Sequence, residues 1–230
     1  MQYNIQSLLY RNDELNAHSL FKEVKYLIHV MPTWPEKKEC WVIAHPSKKI
    51  IAFNSHGFSD EALTYVQGLI DNNKPIYLVF ADESEDDSVI TILYKNTPAV
   101  SVERYVLSVI IKSLSSNNMC NDFVRIIDSM AKYEGWNFKY IRVETEQYSF
   151  NAREVFEDRL PVGWMLYLPV VIMNDSVPSA YCLHTVDNGN GTIIVSKENF
   201  NGEELKDVLR ANDVEMELAS NGLLPLMKEL

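Results

Sequence analysis

The chain has 230 residues, 47% of them hydrophobic and 23% charged, enough to bury one core, or two halves sharing one, without disulfides or metal. A formal net charge of -11 and a pI of about 4.9 set the surface against phosphate backbones and anionic membranes and toward a basic partner. Cys40, Cys120 and Cys182 are too few and too scattered for a disulfide framework, and the chain lacks both a signal-like start and an apolar run near the ~18 residues of a membrane span, so a cytoplasmic location is expected.

Residues 3–10 read as a first strand. Asn12 or Asp13 can cap the helix that follows, since their side-chain oxygens accept first-turn amides, and Leu20, Val24, Leu27, Ile28 and Met31 supply its apolar stripe before Pro32 and Pro35 end it. Residues 40–44 and 50–53 look like short strands around a turn at 46–49. Ser59 is placed to cap a second helix with Leu63, Val66, Leu69 and Ile70 on one face. Residues 76–80 suit a buried strand, 82–87 a loop and 89–94 another strand, while 105–112 is β-branched and favours a strand over a helix. Phe123, Ile126, Ile127, Met130 and Ala131 mark a helix opening near Asn118 and closed by Gly135.

Residues 137–144 alternate as a strand, and 150–157 suggest a short helix. Strands are expected at 164–169, 181–186 and 192–196, the last two joined by the turn around Gly189 and Gly191. Asn201 with Glu204 resembles a capping box for a final helix striped by Leu205, Val208, Leu209, Met216, Ala219 and Leu223 and stopped by Gly222 and Pro225. The order predicts an α+β fold, a largely antiparallel sheet packed with about four helices. It is read as one domain over 1–230. Seams near Thr97-Pro98 and at 113–118 allow two similar halves, 1–115 and 116–230.

Chemistry-bearing patterns are sparse. Gly189-Asn190-Gly191 is followed by a strand, not by the helix that a dinucleotide loop needs, and reads as a hairpin turn. Cys182 and His184 share one side of a strand but lack further local ligands for a metal. Cys120 sits at a helix start, where the dipole would lower its pKa. Glu154, Glu157 and Asp158, beside Arg153 and Arg159, are read as solvated ion pairs. No catalytic group, cofactor or metal is therefore expected. The sharpest feature is the acidic run of Asp82, Glu83, Glu85, Asp86 and Asp87, read either as an exposed solvating loop or as an electrostatic landing strip for a basic partner. Glu203, Glu204, Asp207, Asp213, Glu215 and Glu217 suggest a second acidic surface on the last helix. Tyr148, near Glu144 and Glu146 in a polar stretch, is expected to be exposed and to join the interface with them.

Asp158-Arg-Leu-Pro-Val-Gly-Trp-Met-Leu-Tyr-Leu-Pro169 resembles the Val-Gly-Trp, Tyr-Leu block of the immunity protein 52 family. Gly191-Thr-Ile-Ile-Val-Ser-Lys-Glu-Asn-Phe200 is similar to that family's Gly-Thr-hydrophobic strand, and Gly222-Leu-Leu-Pro225 to its closing helix end. Arg11, Glu14, Trp34 and Trp136 stand at further landmarks. The first strand departs from the family, ending Leu9-Tyr10 where a Trp is common, and Asn137-Phe138 follows Trp136 where a Pro is usual. The resemblance implies a bacterial immunity protein that blocks a cognate toxin, typically a nuclease of the restriction-endonuclease fold delivered by contact-dependent or type VI secretion. Such an inhibitor binds protein and not nucleic acid or membrane; homo-oligomerisation stays open. The alternative is a hydrolase whose site gathers residues from distant strands, Cys182 and His184 among them.

Overall fold

The computed structural model describes residues 1–31, 40–45, 48–82, 90–96, 104–112, 118–151, 155–186 and 189–230. Pro32, Trp34, Pro35, the 46–47 turn, Glu83, Glu85, Asp86, Asp87, Arg153, Glu154 and the Thr97-Pro98 seam lie outside the described residues. The fold is α+β, with eleven strands and five α-helices among those residues. It divides into two compact units: an N-terminal one of Leu9–Leu114 with Glu134–Asn137, and a C-terminal one of Met1–Leu8, Ser115–Tyr133 and Phe138–Leu230.

The N-terminal unit holds the end of β1 (Gln2–Arg11), then α1 (Ala17–Val30), β2 (Trp41–His45), β3 (Lys48–Asn54), β4 (Gly57–Phe58), α2 (Asp60–Asp71), β5 (Ile76–Asp82), β6 (Ile90–Asn96) and β7 (Arg104–Lys112). Its hydrogen-bonded order is β1-β7-β6-β5-β2-β3-β4, antiparallel from β7 onward. Burial alternates along β5, β6 and β7, so one face of this ladder carries the core. The expected both-sided burial of β5 fails at Tyr77, which is 61% exposed. Helix α1 starts later than Asn12 or Asp13. Asn16 accepts from the Ser19 amide at 2.8 Å while Ser19 Oγ accepts from the Asn16 amide at 3.2 Å, and this reciprocal box satisfies two otherwise unpaired donors. Ser59 caps α2 as expected. Phe21 on α1 meets Phe58 and Phe80 edge-on, each at 5.7 Å between centroids, tying helix to sheet.

The C-terminal unit adds α3 (Met119–Ala131), β8 (Trp136–Thr145), α4 (Glu146–Asn151), β9 (Met165–Leu168), β10 (Cys182–Thr185), β11 (Thr192–Val195) and α5 (Leu205–Ser220). Its order is β10-β11-β9-β8-β1, with antiparallel pairing from β10 to β8. Strands β9 and β11 are buried at every residue, which is why they read as continuous apolar runs. The short helix stands at 146–151, earlier than expected, because Thr145 Oγ1 accepts the Tyr148 amide at 3.1 Å and turns the chain there.

Trp164, of the Val-Gly-Trp block, is the hub of this core. Its ring lies 5.6 Å from Tyr3, 5.2 Å from Phe123 and 6.2 Å, stacked, from Phe200, and its indole N–H donates to the Lys197 carbonyl at 2.8 Å. The expected capping box on α5 is absent: Glu204 is the N-cap and makes no side-chain cap bond. At the other end, the Gly222 amide donates to Ala219 at 3.0 Å and the Leu223 amide to Leu218 at 2.8 Å, with Gly222 at φ 69°, a Schellman closure.

Gly202 has φ 76°, and a β-carbon there would lie 2.5 Å from Tyr148 Cβ and 2.6 Å from Thr145 Oγ1. Gly189, at φ 71°, has open space around it. Chemical denaturation is expected to show Gly202→Ala costing about 3 kcal/mol, strain plus overpacking, against about 1 kcal/mol for Gly189→Ala, strain alone.

Candidate interaction surface

The acidic run begins at the end of β5, and its first member is not on the surface. Asp82 is 7% exposed and pairs in register with Trp41 on β2. The expectation that Asp82 belongs to a solvated loop is thus corrected: ladder pairing extends two residues past Phe80. In the sequence, the four remaining acids of the run fall between β5 and β6.

Of the residues expected to join the interface from the C-terminal unit, only Glu146 is exposed, in the first turn of α4. Glu144 is 6% exposed, accepts from Gln6 Nε2 at 3.2 Å and is ion-paired with Arg142 at 3.2 Å; Arg142 in turn donates to Gln6 Oε1 at 2.7 Å. Tyr148 is 2% exposed, and its ring packs against Phe200 at 5.4 Å between centroids. Burial foremost, then the negative charge of Glu215, pushes its phenol well above the usual range. The polar neighbours of Tyr148 in sequence misled, since α4 rotates it inward while Glu146 stays outside.

The last helix divides its acids in the same way. Glu203, Glu204 and Asp213 are exposed, whereas Asp207 and Glu215 are each 1% exposed, so the second acidic surface is smaller than the sequence suggests. Glu215 accepts from the Val162 amide at 3.4 Å, and Glu217 ties down Ser179 through its amide at 2.9 Å and its hydroxyl at 2.6 Å. Asp207 is ion-paired with Lys197 and accepts the amides of Asn201 at 3.1 Å and Gly202 at 3.2 Å. Burial pushes its carboxyl up, but Lys197 and the two amides outweigh it and hold the pKa below the ordinary 3.8.

The thiols also depart from expectation. Cys120 is 9% exposed, and burial, with Cys182 and Glu198 nearby, pushes its pKa up to about 11, overriding the helix start. Cys182 is exposed and likewise raised, first by burial and then by Glu198. His184 Nε2 stands 3.9 Å from Asp128 Oδ1. Among the described residues no group of three or more His, Cys, Asp or Glu side chains converges to hold a metal ion.

A constellation that sequence reasoning missed lies in the N-terminal unit. Arg11 at the end of β1 is ion-paired with Glu23 of α1, both side chains about 95% buried, and also donates to the Tyr94 hydroxyl at 3.3 Å. Its guanidinium lies 5.7 Å from the Tyr105 ring centroid. Burial raises the Glu23 pKa, with Arg11 and the Trp136 indole pulling the other way. The available signal was a carboxylate inside the Leu20–Val24–Leu27 stripe of an otherwise apolar helix face. Arg11 lines an open cavity of about 410 Å³, with Asp13 and Glu14 on one wall, Lys74 and Asn73 past the end of α2, and Tyr105 and Asn96 from the ladder. With Arg11 already answered by Glu23, Lys74 faces Asp13 and Glu14 there, so the lining does not select an anion.

No family model matches the chain, and no curated protein matches it. Among solved structures, the fold is similar to that of the Pseudomonas aeruginosa T6SS protein PA0821, with a TM-score of 0.59 and 10% identity over 95% of this chain and 73% of that chain. At that identity the likeness is one of fold. No described helix is long and apolar enough to cross a membrane.

Two outcomes are expected. Arg11→Met or Glu23→Met alone destabilises by about 3–5 kcal/mol, because each strands a buried charge, and the double substitution costs less than their sum in a double-mutant cycle read by urea titration. Because folding lowers the Asp207 pKa, its stabilisation is present above the ordinary carboxylate value and is given up as pH falls through the depressed one. Asp207→Asn is therefore expected to lose about 1.5–3 kcal/mol at pH 7 and to converge with wild type in acid, which melting curves against pH will read.

Proposed function

We propose that this chain is an immunity protein, one that binds a cognate bacterial toxin and blocks it by stoichiometric contact. The observation that carries the reading is the likeness of fold, over 95% of the chain, to a protein of a type VI secretion system. The sequence blocks that resemble immunity protein 52 agree with it, and their residues hold the C-terminal core: Trp164 at the aromatic hub, Thr192–Val195 as a fully buried strand, Gly222 closing α5.

The toxin in this reading is a nuclease. A nuclease presents cations to a phosphate backbone, and an inhibitor carrying a net charge of -11 competes for that face. Inhibition by occlusion needs shape and charge but no bond-making group on the inhibitor. Glu83, Glu85, Asp86 and Asp87 are assigned to the contact, with exposed Glu146 as a further contributor. Asp82, Glu144 and Tyr148 are buried, each within its own unit, and serve packing there. The hydrolase alternative asks for Cys182, His184 and a carboxylate around one cavity. The cavity of about 330 Å³ beside Cys182 is walled by Asn174, Pro178, Tyr181 and Leu183 among others, and neither His184 nor a carboxylate lines it.

Co-expression with the toxin encoded beside it is expected to restore growth and yield a stable complex; an active toxin in the presence of soluble inhibitor overturns the reading. Replacing Glu83, Glu85, Asp86 and Asp87 by their amides is expected to slow association about ten-fold or more in stopped flow and to flatten its salt dependence, without moving the melting temperature. An unchanged on-rate and salt slope would remove the run from the contact.

A further inference from the structure

Helix α5 is apolar on two sides. One side, Val208, Ala211, Val214 and Leu218, is buried in the C-terminal unit. The other shows Leu205, 70% exposed, Leu209, 51%, and Met216, 45%. At 100° per residue these three fall within about 40° of one another on the outer face. One flank of that stripe carries all the nearby charge, in a fixed order along the helix: Lys206 and Arg210 toward the N-terminus, Asp213 and Glu217 toward the C-terminus.

We infer that α5 is a self-association surface, and that its occupant is α5 of a second copy of this chain, packed antiparallel about a two-fold axis between Ala211 and Asn212. The argument is charge complementarity fixed by register. In an antiparallel helix pair related by a two-fold, the same flank of each helix faces its counterpart with its direction reversed. With the axis between Ala211 and Asn212, Arg210 of one copy stands level with Asp213 of the other, and Lys206, also paired with Glu204 of its own copy, stands level with Glu217, which also holds Ser179. The same axis interleaves the apolar stripe. Met216 of the second copy falls between Leu205 and Leu209 of the first, about 3 Å along the axis from each, and the symmetric trio forms on the other side of the dyad. A parallel two-fold pairing sets the charged flank of each copy against the uncharged flank of the other and forms neither ion pair. The two helix dipoles also oppose one another in the antiparallel arrangement.

Three apolar side chains and two basic stems are less than the roughly 800 Å² per partner of a standard stable interface, so the dimer forms with mid-micromolar affinity. Sedimentation velocity on the full chain is expected to show monomer near about 1 µM and mostly dimer at several hundred micromolar, with salt shifting the balance toward monomer. Leu209→Asp, at an exposed position, is expected to hold the chain monomeric at every concentration with an unchanged melting temperature. Arg210→Asp is expected to weaken the dimer at least ten-fold, and adding Asp213→Arg in the same chain to restore it, because the exchanged pair meets across the dyad. A sedimentation coefficient independent of concentration overturns the proposal, as does a dimer indifferent to Leu209→Asp. Failure of the double exchange to restore association overturns the antiparallel register. None of these readouts depends on a toxin, so they stand or fall apart from the immunity reading.

Discussion

The Arg11–Glu23 pair places two opposite charges where the ends of β1, β6 and β7 meet helix α1 in the N-terminal unit. A carboxylate removed from water costs several kcal/mol unless a cation or convergent amides answer it. This protein carries 32 acidic residues against 21 basic ones, so it meets that constraint repeatedly. Glu23 has Arg11, Glu144 has Arg142 and Gln6, and Asp207 has Lys197 with two backbone amides. Three of the scarce cations are engaged as counterions to buried acids. Each pair withdraws one charge of either sign, so the acidic excess stays on the surface.

This division separates acids that support the fold from acids that are free to meet a partner. Glu144 joins Gln6 to β8 across most of the chain, and Asp207 ties the 197–202 stretch to the start of α5. Glu146, Glu203, Glu204 and Asp213 sit outside. A steering field needs only the second group, while its geometry depends on the first. Counting carboxylates along the chain merges the two roles, and their separation is visible only once the partners in space are known.

The strands were legible from short apolar and β-branched runs and, at 137–144, from alternation; β5, β6, β7 and β8 stand within a few residues of where those signals put them. The start of α3 and the Ser59 cap were legible from other local signals, an apolar stripe at helical spacing and a capping side chain. Helix α5 was not. Its sequence contains two apolar stripes, Leu205–Leu209–Met216 and Val208–Ala211–Val214–Leu218, and the inward one includes Asp207 and Glu215. Local reading sends such acids to solvent. What reverses the choice is Lys197 and a pair of amides for Asp207, and the Val162 amide for Glu215, contacts that no periodicity encodes. Tyr148 follows the same pattern, its partner Phe200 lying far along the chain.

The outermost strands of the two ladders are brief: β10 has four residues in the C-terminal unit and β4 only two in the N-terminal unit. A free strand margin is a template for a stray chain, and its adhesiveness grows with the number of backbone groups it offers in a row. The four residues of β10 offer too few to recruit a cross-β neighbour, whereas β4 covers only Phe53 and Asn54 of the seven-residue β3. The C-terminal ladder is thereby spared the fibrillar fate that longer margins invite, even when crowded.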